Sequence, residues 1–273
     1  MKHPMLTIAA IQSASLPYDK AKIDYYLTLA KTRGAKLVVL GEYLLNLFFK
    51  ELENTPSAMI EEQSRFQMES LTLLAKVYNL TILAPLVTVE KGKFYKSLVK
   101  FSPTTKKIFH QQVLIHYEHW DEQTFFANPQ TPLKAPPIFT VEGIKVAVLF
   151  GFETHFDPLW LECSRKKVDV VIVPTASTFQ SQQRWRSLLQ TRAFTHSLYV
   201  LRVNRIGEYQ HEQATWSFYG DTFLMGPDGR IEDALGTKEE MLLSVICRDN
   251  VQHMRKEWGF SHVLESRGGL THD

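Results

Sequence analysis

What most constrains this chain is a repeated passage from a short, fully apolar run into a stretch with helical spacing. Leu6-Thr-Ile-Ala-Ala-Ile11 reads as a buried strand. An apolar stripe at Ile23, Tyr26, Leu27 and Ala30 follows, spaced i, i+3, i+4, i+7, with Gly34 as its stop. Leu37 to Leu40 is a second buried strand with Glu42 at its carboxyl end, and residues 58–78 predict a longer helix with Ile60, Met68, Leu71, Ala75 and Tyr78 on one side. Leu80 to Val89, Phe94 to Phe101 and Lys107 to Ile115 read as consecutive strands, joined by turns such as Glu90-Lys-Gly-Lys93. The second half repeats the alternation and ends in strands at Tyr199 to Val203, Ser217 to Leu224 and Met241 to Ile246. Alternating units of this kind predict an α/β layered fold. Periodicity goes no further.

A length of 273 residues slightly favours two domains, yet no linker, repeat or low-complexity segment interrupts residues 1–260, which we read as one domain. Residues 261–273 are polar and glycine-containing, a tail or an arm over a partner subunit. Hydrophobic content of 44% and charged content of 22% suit a globular protein with a sizeable core. A net charge of +2 gives no electrostatic case for nucleic acid or an anionic membrane. Only six mostly apolar residues precede Gln12, short of the ~7–15 of a signal-peptide core, and no run approaches the ~18 of a membrane span. Cys163 and Cys247 are too few for a disulfide framework and fit a reducing, cytoplasmic setting.

One passage carries the functional reading. In Val146-Ala-Val-Leu-Phe-Gly-Phe-Glu-Thr-His-Phe156 an apolar strand enters a polar turn, and a helix starts near Asp157-Pro158. With it go Leu37-Val-Val-Leu-Gly-Glu-Tyr43, His110-Gln-Gln-Val-Leu-Ile115, the acidic and aromatic loop His116 to Phe126, Val168 to Ala176, Arg192 to Val200, Asn204-Arg-Ile-Gly207 and Gly220 to Gly229. In this order and spacing they resemble the nitrilase superfamily, the carbon–nitrogen hydrolases, over nearly the whole chain. The resemblance implies a four-layer α-β-β-α sandwich, usually paired into a homodimer through helices, that needs no cofactor and holds no metal.

The family's reaction uses a Glu, Lys and Cys triad. On this chain the resemblance places Glu42 at the glutamate, Gln112 at the lysine (Gln111 after a one-residue slip) and Gly151 at the cysteine. Neither glutamine is a lysine, and Gly151 has no side chain with which to form a covalent intermediate. Thr195 stands where the family usually shows a glutamate. Triad members act as a unit, so losing the nucleophile alone removes most of the catalysis. The expectation is a nitrilase-fold protein inactive toward C–N bonds and retained for assembly or for binding a small amide- or acid-like ligand. The alternative is an active amidase-like hydrolase using another nucleophile, or a water activated by Glu42.

Several residues carry two readings. Glu42 is either a hydrogen-bonded carboxylate at the pocket floor or a ligand contact. Glu118, Glu122 and Glu153 are ligand-binding candidates, the first two as matches to the loop's additional glutamate, while Glu153 more readily supports its own turn. Cys163 shares a helical stripe with Phe156, Leu159 and Trp160, ~10 Å along that helix at ~1.5 Å per residue, which makes it a buried structural thiol. His116, His119, Asp121 and Glu122 hold metal-ligand residue types, but a His-x-x-His pair needs a shared face and a third ligand, and we read a pocket-lining loop. Arg192, in the stripe Trp185, Leu188, Leu189, Arg192, reads as buried and paired. Trp160, Trp185, Phe194 and Tyr199 cluster in the helical stretches that the resemblance assigns to a subunit interface.

Overall fold

The computed structural model describes residues 4–211 and 214–267. The first half runs β1 (Met5–Gln12), α1 (Lys20–Thr32), β2 (Leu37–Leu40), α2 (Phe49–Leu52), α3 (Ser57–Tyr78), β3 (Thr81–Glu90), β4 (Lys93–Phe101) and β5 (Lys106–His110). A loop carrying β6 (His116–Tyr117), β7 (Trp120–Asp121) and α4 (Glu122–Phe125) leads to the second half. There β8 (Ile138–Val141), β9 (Ile144–Val148), a 3-10 turn Gly151–His155, α5 (Asp157–Arg165), β10 (Val170–Thr175), α6 (Gln182–His196) and β11 (Tyr199–Asn204) follow in turn. The chain continues as the hairpin β12 (Ile206–His211) and β13 (Ala214–Tyr219), then β14 (Phe223–Met225), β15 (Ile231–Ala234), β16 (Glu240–Cys247), α7 (Arg248–Trp258) and α8 (Phe260–Ser266).

Two six-stranded sheets result, ordered β16-β1-β2-β3-β4-β5 and β15-β14-β11-β10-β9-β8. The apolar strands are buried on both faces, so three cores stack through the molecule. The outer face of the first sheet meets α1 and α3 through Leu27, Val38, Leu40, Leu71, Ala75 and Ile82. The inner faces meet through Ile8, Val39, Leu83, Leu98, Val146, Ile172 and Leu201. The outer face of the second sheet meets α5 and α6 through Leu149, Val171, Leu159, Trp160, Cys163 and Leu189. This is the α-β-β-α sandwich.

Three boundaries differ from the sequence reading. The strand expected to reach Ile115 stops at His110, which leaves Gln111 and Gln112 in a loop. The strand expected over 217–224 is two strands, because Gly220 (φ 76°) and Asp221 (φ 66°) adopt the left-handed region between them. The expected C-terminal tail begins as α8, against whose Phe260 ring Phe194 of α6 packs edge-on at 5.4 Å; residues 268–273 lie outside the described residues.

Candidate active site

Glu42 sits two residues past the end of β2, where the chain turns at Tyr43 (φ 53°). Arg205 Nη1 holds that turn by donating to the Tyr43 carbonyl at 3.0 Å. Gly41 lies beside the Arg205 backbone, 3.4 Å from where its Cβ would be, so the two sheets are in contact here. The turn aims a buried carboxylate at the end of β9. There the Gly151 N–H, the first of the 3-10 turn, donates to Glu42 Oε1 at 3.2 Å.

Glu42 and Gly151 are therefore together at the carboxyl ends of β2 and β9. Gln112 is not with them. Its side chain turns outward, donating from Nε2 to the Lys134 carbonyl and accepting from the Lys134 N–H. Neighbouring Gln111 is buried, and its Nε2 bonds the Val113 carbonyl. The ammonium expected to be lost comes instead from another strand. Lys96 of β4 donates from Nζ to Glu42 Oε2 at 3.0 Å and to Glu122 Oε1 at 2.7 Å. Period-two alternation puts Lys96 on the face of β4 that carries Leu98 into the inter-sheet core, at the end where the site opens.

Glu122, at the start of α4, is fully buried and accepts also from the Tyr43 hydroxyl at 2.6 Å. Burial pushes the Glu42 carboxyl above its ordinary range; the Lys96 ammonium opposes that shift and Glu122 adds to it. Burial alone would push Lys96 down, but Glu122 and Glu42 outweigh it and hold the ammonium firmly charged. The same surroundings, burial first and then Glu122, push the Tyr43 hydroxyl well up. The cluster is one buried cation shared by two carboxylates.

The other acidic candidates part company. Glu118 is exposed. Glu153 is buried inside its own turn, with Oε1 accepting from the Gln112 N–H at 2.6 Å and Oε2 from the Phe150 N–H at 3.0 Å. Burial raises its pKa to about 7 even against those backbone donors. Glu153 thus ties the Gln112 loop to the elbow and does not face the cleft. Asp121 Oδ1 pairs with His116 Nδ1 at 2.8 Å in a surface contact, and no group of metal-ligand side chains forms among the described residues.

The cleft above Glu42, Lys96 and Gly151 has a volume of about 190 Å³. Its lining contains no cysteine. Cys163 is fully buried in the α5–sheet core, where burial pushes its thiol up to about 12, and Cys247 ends β16. The space beside Gly151, which the resemblance gives to the nucleophile, is occupied. A Cβ on Gly151 would lie 2.8 Å from Thr175 Cγ2 and 3.3 Å from Trp185 Cη2. Arg202 stacks over the Trp185 ring at 5.2 Å and His155 meets it edge-on at 5.5 Å, so the indole is held. Hydroxyls in the lining already donate elsewhere: Thr175 to Asn204 Oδ1, Thr178 to the Ser217 carbonyl, Ser181 to the Thr178 carbonyl. None of these three bonds goes to a base that would activate a nucleophile.

The carbon–nitrogen hydrolase family model matches residues 7–256. A deaminated glutathione amidase from Synechocystis sp. is 25% identical over 262 residues, spanning 91% of this chain and 94% of that one. Among solved structures, a carbon–nitrogen hydrolase from Helicobacter pylori G27 superposes with a TM-score of 0.84 at 18% identity, covering 94% of both chains. The amidase of Nesterenkonia sp. AN1, in a structure where acrylamide has added to its active-site cysteine, superposes with a TM-score of 0.77 at 19% identity. That match spans 93% of this chain and 98% of the amidase. At such identities the structural likeness speaks for the fold.

Proposed function

Since this chain belongs to the carbon–nitrogen hydrolase family, we propose that it keeps the family's cleft for binding a small amide- or acid-like ligand and does not cleave C–N bonds. One observation carries the reading. The resemblance puts Gly151 where the family has its cysteine, and the space a side chain would need there is taken by Thr175 and Trp185. Acyl transfer by covalent catalysis requires a nucleophile within reach of its base. Glu42 and Lys96 remain, and they hold each other and the Gly151 N–H.

The Lys96 ammonium favours a second reading, hydrolysis by water with Glu42 as base, because developing oxyanion charge would meet a fixed cation. Against it, each Glu42 oxygen already accepts a donor, so neither is free to take a proton from water. The test is steady-state release of ammonia from a panel of amides, nitriles and N-carbamoyl compounds, beside a thermal-shift screen of the same panel. The expected outcome is a ligand that raises the melting temperature and is recovered unchanged. Turnover of ~1–10³ s⁻¹, the range of working enzymes, overturns the proposal.

A homodimer belongs to the same proposal, as does a cytoplasmic location, which rests on two unpaired cysteines. No helix among the described residues is long and apolar enough to cross a membrane.

A further inference from the structure

We infer that the cleft selects a single planar aromatic ring bearing an uncharged hydrogen-bond acceptor, such as a carbonyl; this rests on the cleft being the ligand site proposed above. Its walls are rings. Tyr117, His119, Trp120, Phe152, Phe179 and Trp185 all face it. Four of them form a chain of contacts around the mouth: Phe152 meets Tyr117 at 5.8 Å and 90°, Tyr117 stacks on His119 at 5.8 Å, and His119 meets Phe179 at 6.0 Å and 74°. Aromatic side chains accept a further ring by offset stacking or edge-to-face contact, which an aliphatic group of equal size cannot match.

Two of these rings pack on their neighbours by one side only and leave the rest of the ring exposed at the cleft. Tyr117 is 51% and Phe179 55% exposed. Phe179 moreover holds φ at 60°, a conformation that glycine adopts freely and a bulky L-residue does not. Strain of this kind persists where the surroundings impose it, and at a cleft it marks a residue with a task.

Volume and floor narrow the ligand. An apolar cavity of about 150 Å³ accommodates benzene, so about 190 Å³ admits one ring and one small group. At the floor Lys96 carries three N–H donors; Glu42 and Glu122 take two of them, which leaves one for an acceptor. An aromatic cation would meet that ammonium as a like charge. An aromatic carboxylate would meet the Glu42 carboxylate in the same lining. A neutral carbonyl meets neither objection.

The test uses the whole protein and calorimetric titration with five probes: benzamide, cyclohexanecarboxamide, butyramide, benzylammonium and benzoate. Benzamide is expected to bind at least about threefold tighter than cyclohexanecarboxamide, in keeping with the excess worth of a ring pair, and tighter than the two charged probes. Phe179→Leu, which removes one of the six rings of the wall, is expected to narrow the ratio of benzamide to cyclohexanecarboxamide affinity; an unchanged ratio overturns the role given to Phe179. Equal binding of ring and saturated ring, preference for butyramide or a charged probe, or no binding at all overturns the inference. Release of ammonia from benzamide would instead defeat the non-hydrolytic reading, and the ratio of KM values would still report the ring preference.

Discussion

At the scale of residues, the proposal turns on Gly151, where the resemblance expects the nucleophile, and on Lys96, whose ammonium reaches Glu42 from β4. Gly151 has no left-handed φ that would demand glycine, so what forbids a side chain is space. Gly151→Cys is expected to destabilise the fold by ~1–3 kcal/mol through overpacking against Thr175 and Trp185. Thr175→Ser removes the obstructing Cγ2 and keeps the hydroxyl on Asn204 at 2.9 Å, so the double variant should recover most of that loss. Denaturant midpoints check both, and amide hydrolysis by the double variant is expected to be feeble at most because Trp185 still lies over the thiol. Adding Gln112→Lys would not help, since that side chain points to Lys134. Lys96→Met tests the buried cluster. It leaves Glu42 and Glu122 uncompensated, at an expected cost of ~3–5 kcal/mol. Without the cation the Glu42 carboxyl, already raised by burial, rises further in pKa, and a raised carboxylate stabilises below its unfolded pKa and loses that contribution as pH climbs through the folded value. The variant's deficit should therefore be larger at pH 8 than at pH 5; a pH-independent deficit would contradict the shared-cation description.

At the scale of elements, α5 and α6 are joined through His196, the last residue of α6. Its ring stacks on Trp160 at 5.8 Å, and Nδ1 meets Ser164 Oγ of α5 at 2.6 Å. Burial, and then Arg192, lower its pKa from 6.5 to about 4. The unfolded chain takes up this proton as pH falls below 6.5, and the folded chain refuses it until about pH 4. Stability from this contact is complete above 6.5 and is lost toward 4, by at most ~3 kcal/mol and by less because the ring is partly exposed. Urea midpoints at pH 7.5 and 4.5 should fall further in the wild type than in His196→Asn. Much of this layer was legible in the sequence: Leu159, Trp160 and Cys163 of the expected stripe became the buried face of α5, with Phe156 half-buried just before it, and Arg192, half-buried, is paired with Asp157 and stacked on Trp160. The elbow was legible because a strand, a turn and a proline-led helix are adjacent in the chain. Lys96 was not. It lies 54 residues from Glu42 and 26 from Glu122, on a strand whose other lysines give it the look of a solvated edge. Only the register of β4 against β3, with Lys96 opposite Val87, settles which way it faces.

At the scale of the whole molecule, the aromatic residues first credited to association are largely spent within the chain. Trp160 and Tyr199 are fully buried in the chain's own cores. A different surface is exposed and apolar: Trp258 and Phe260, 48% and 40% exposed, flank Phe194 beside Val263 at 59%. Clustered apolar exposure of this kind suits a subunit contact. Sedimentation at micromolar concentration is expected to give a dimer, shifted toward monomer by Trp258→Glu; a monomer throughout would remove the assembly half of the proposal. The hydrolytic half rests on the occupied nucleophile position. The most direct test is a single-turnover experiment, with protein in excess over the amide that stabilises it best and the ligand followed by mass spectrometry. The amide is expected to be recovered intact after prolonged incubation. Conversion of even one equivalent to acid and ammonia, abolished by Glu42→Gln, would contradict it.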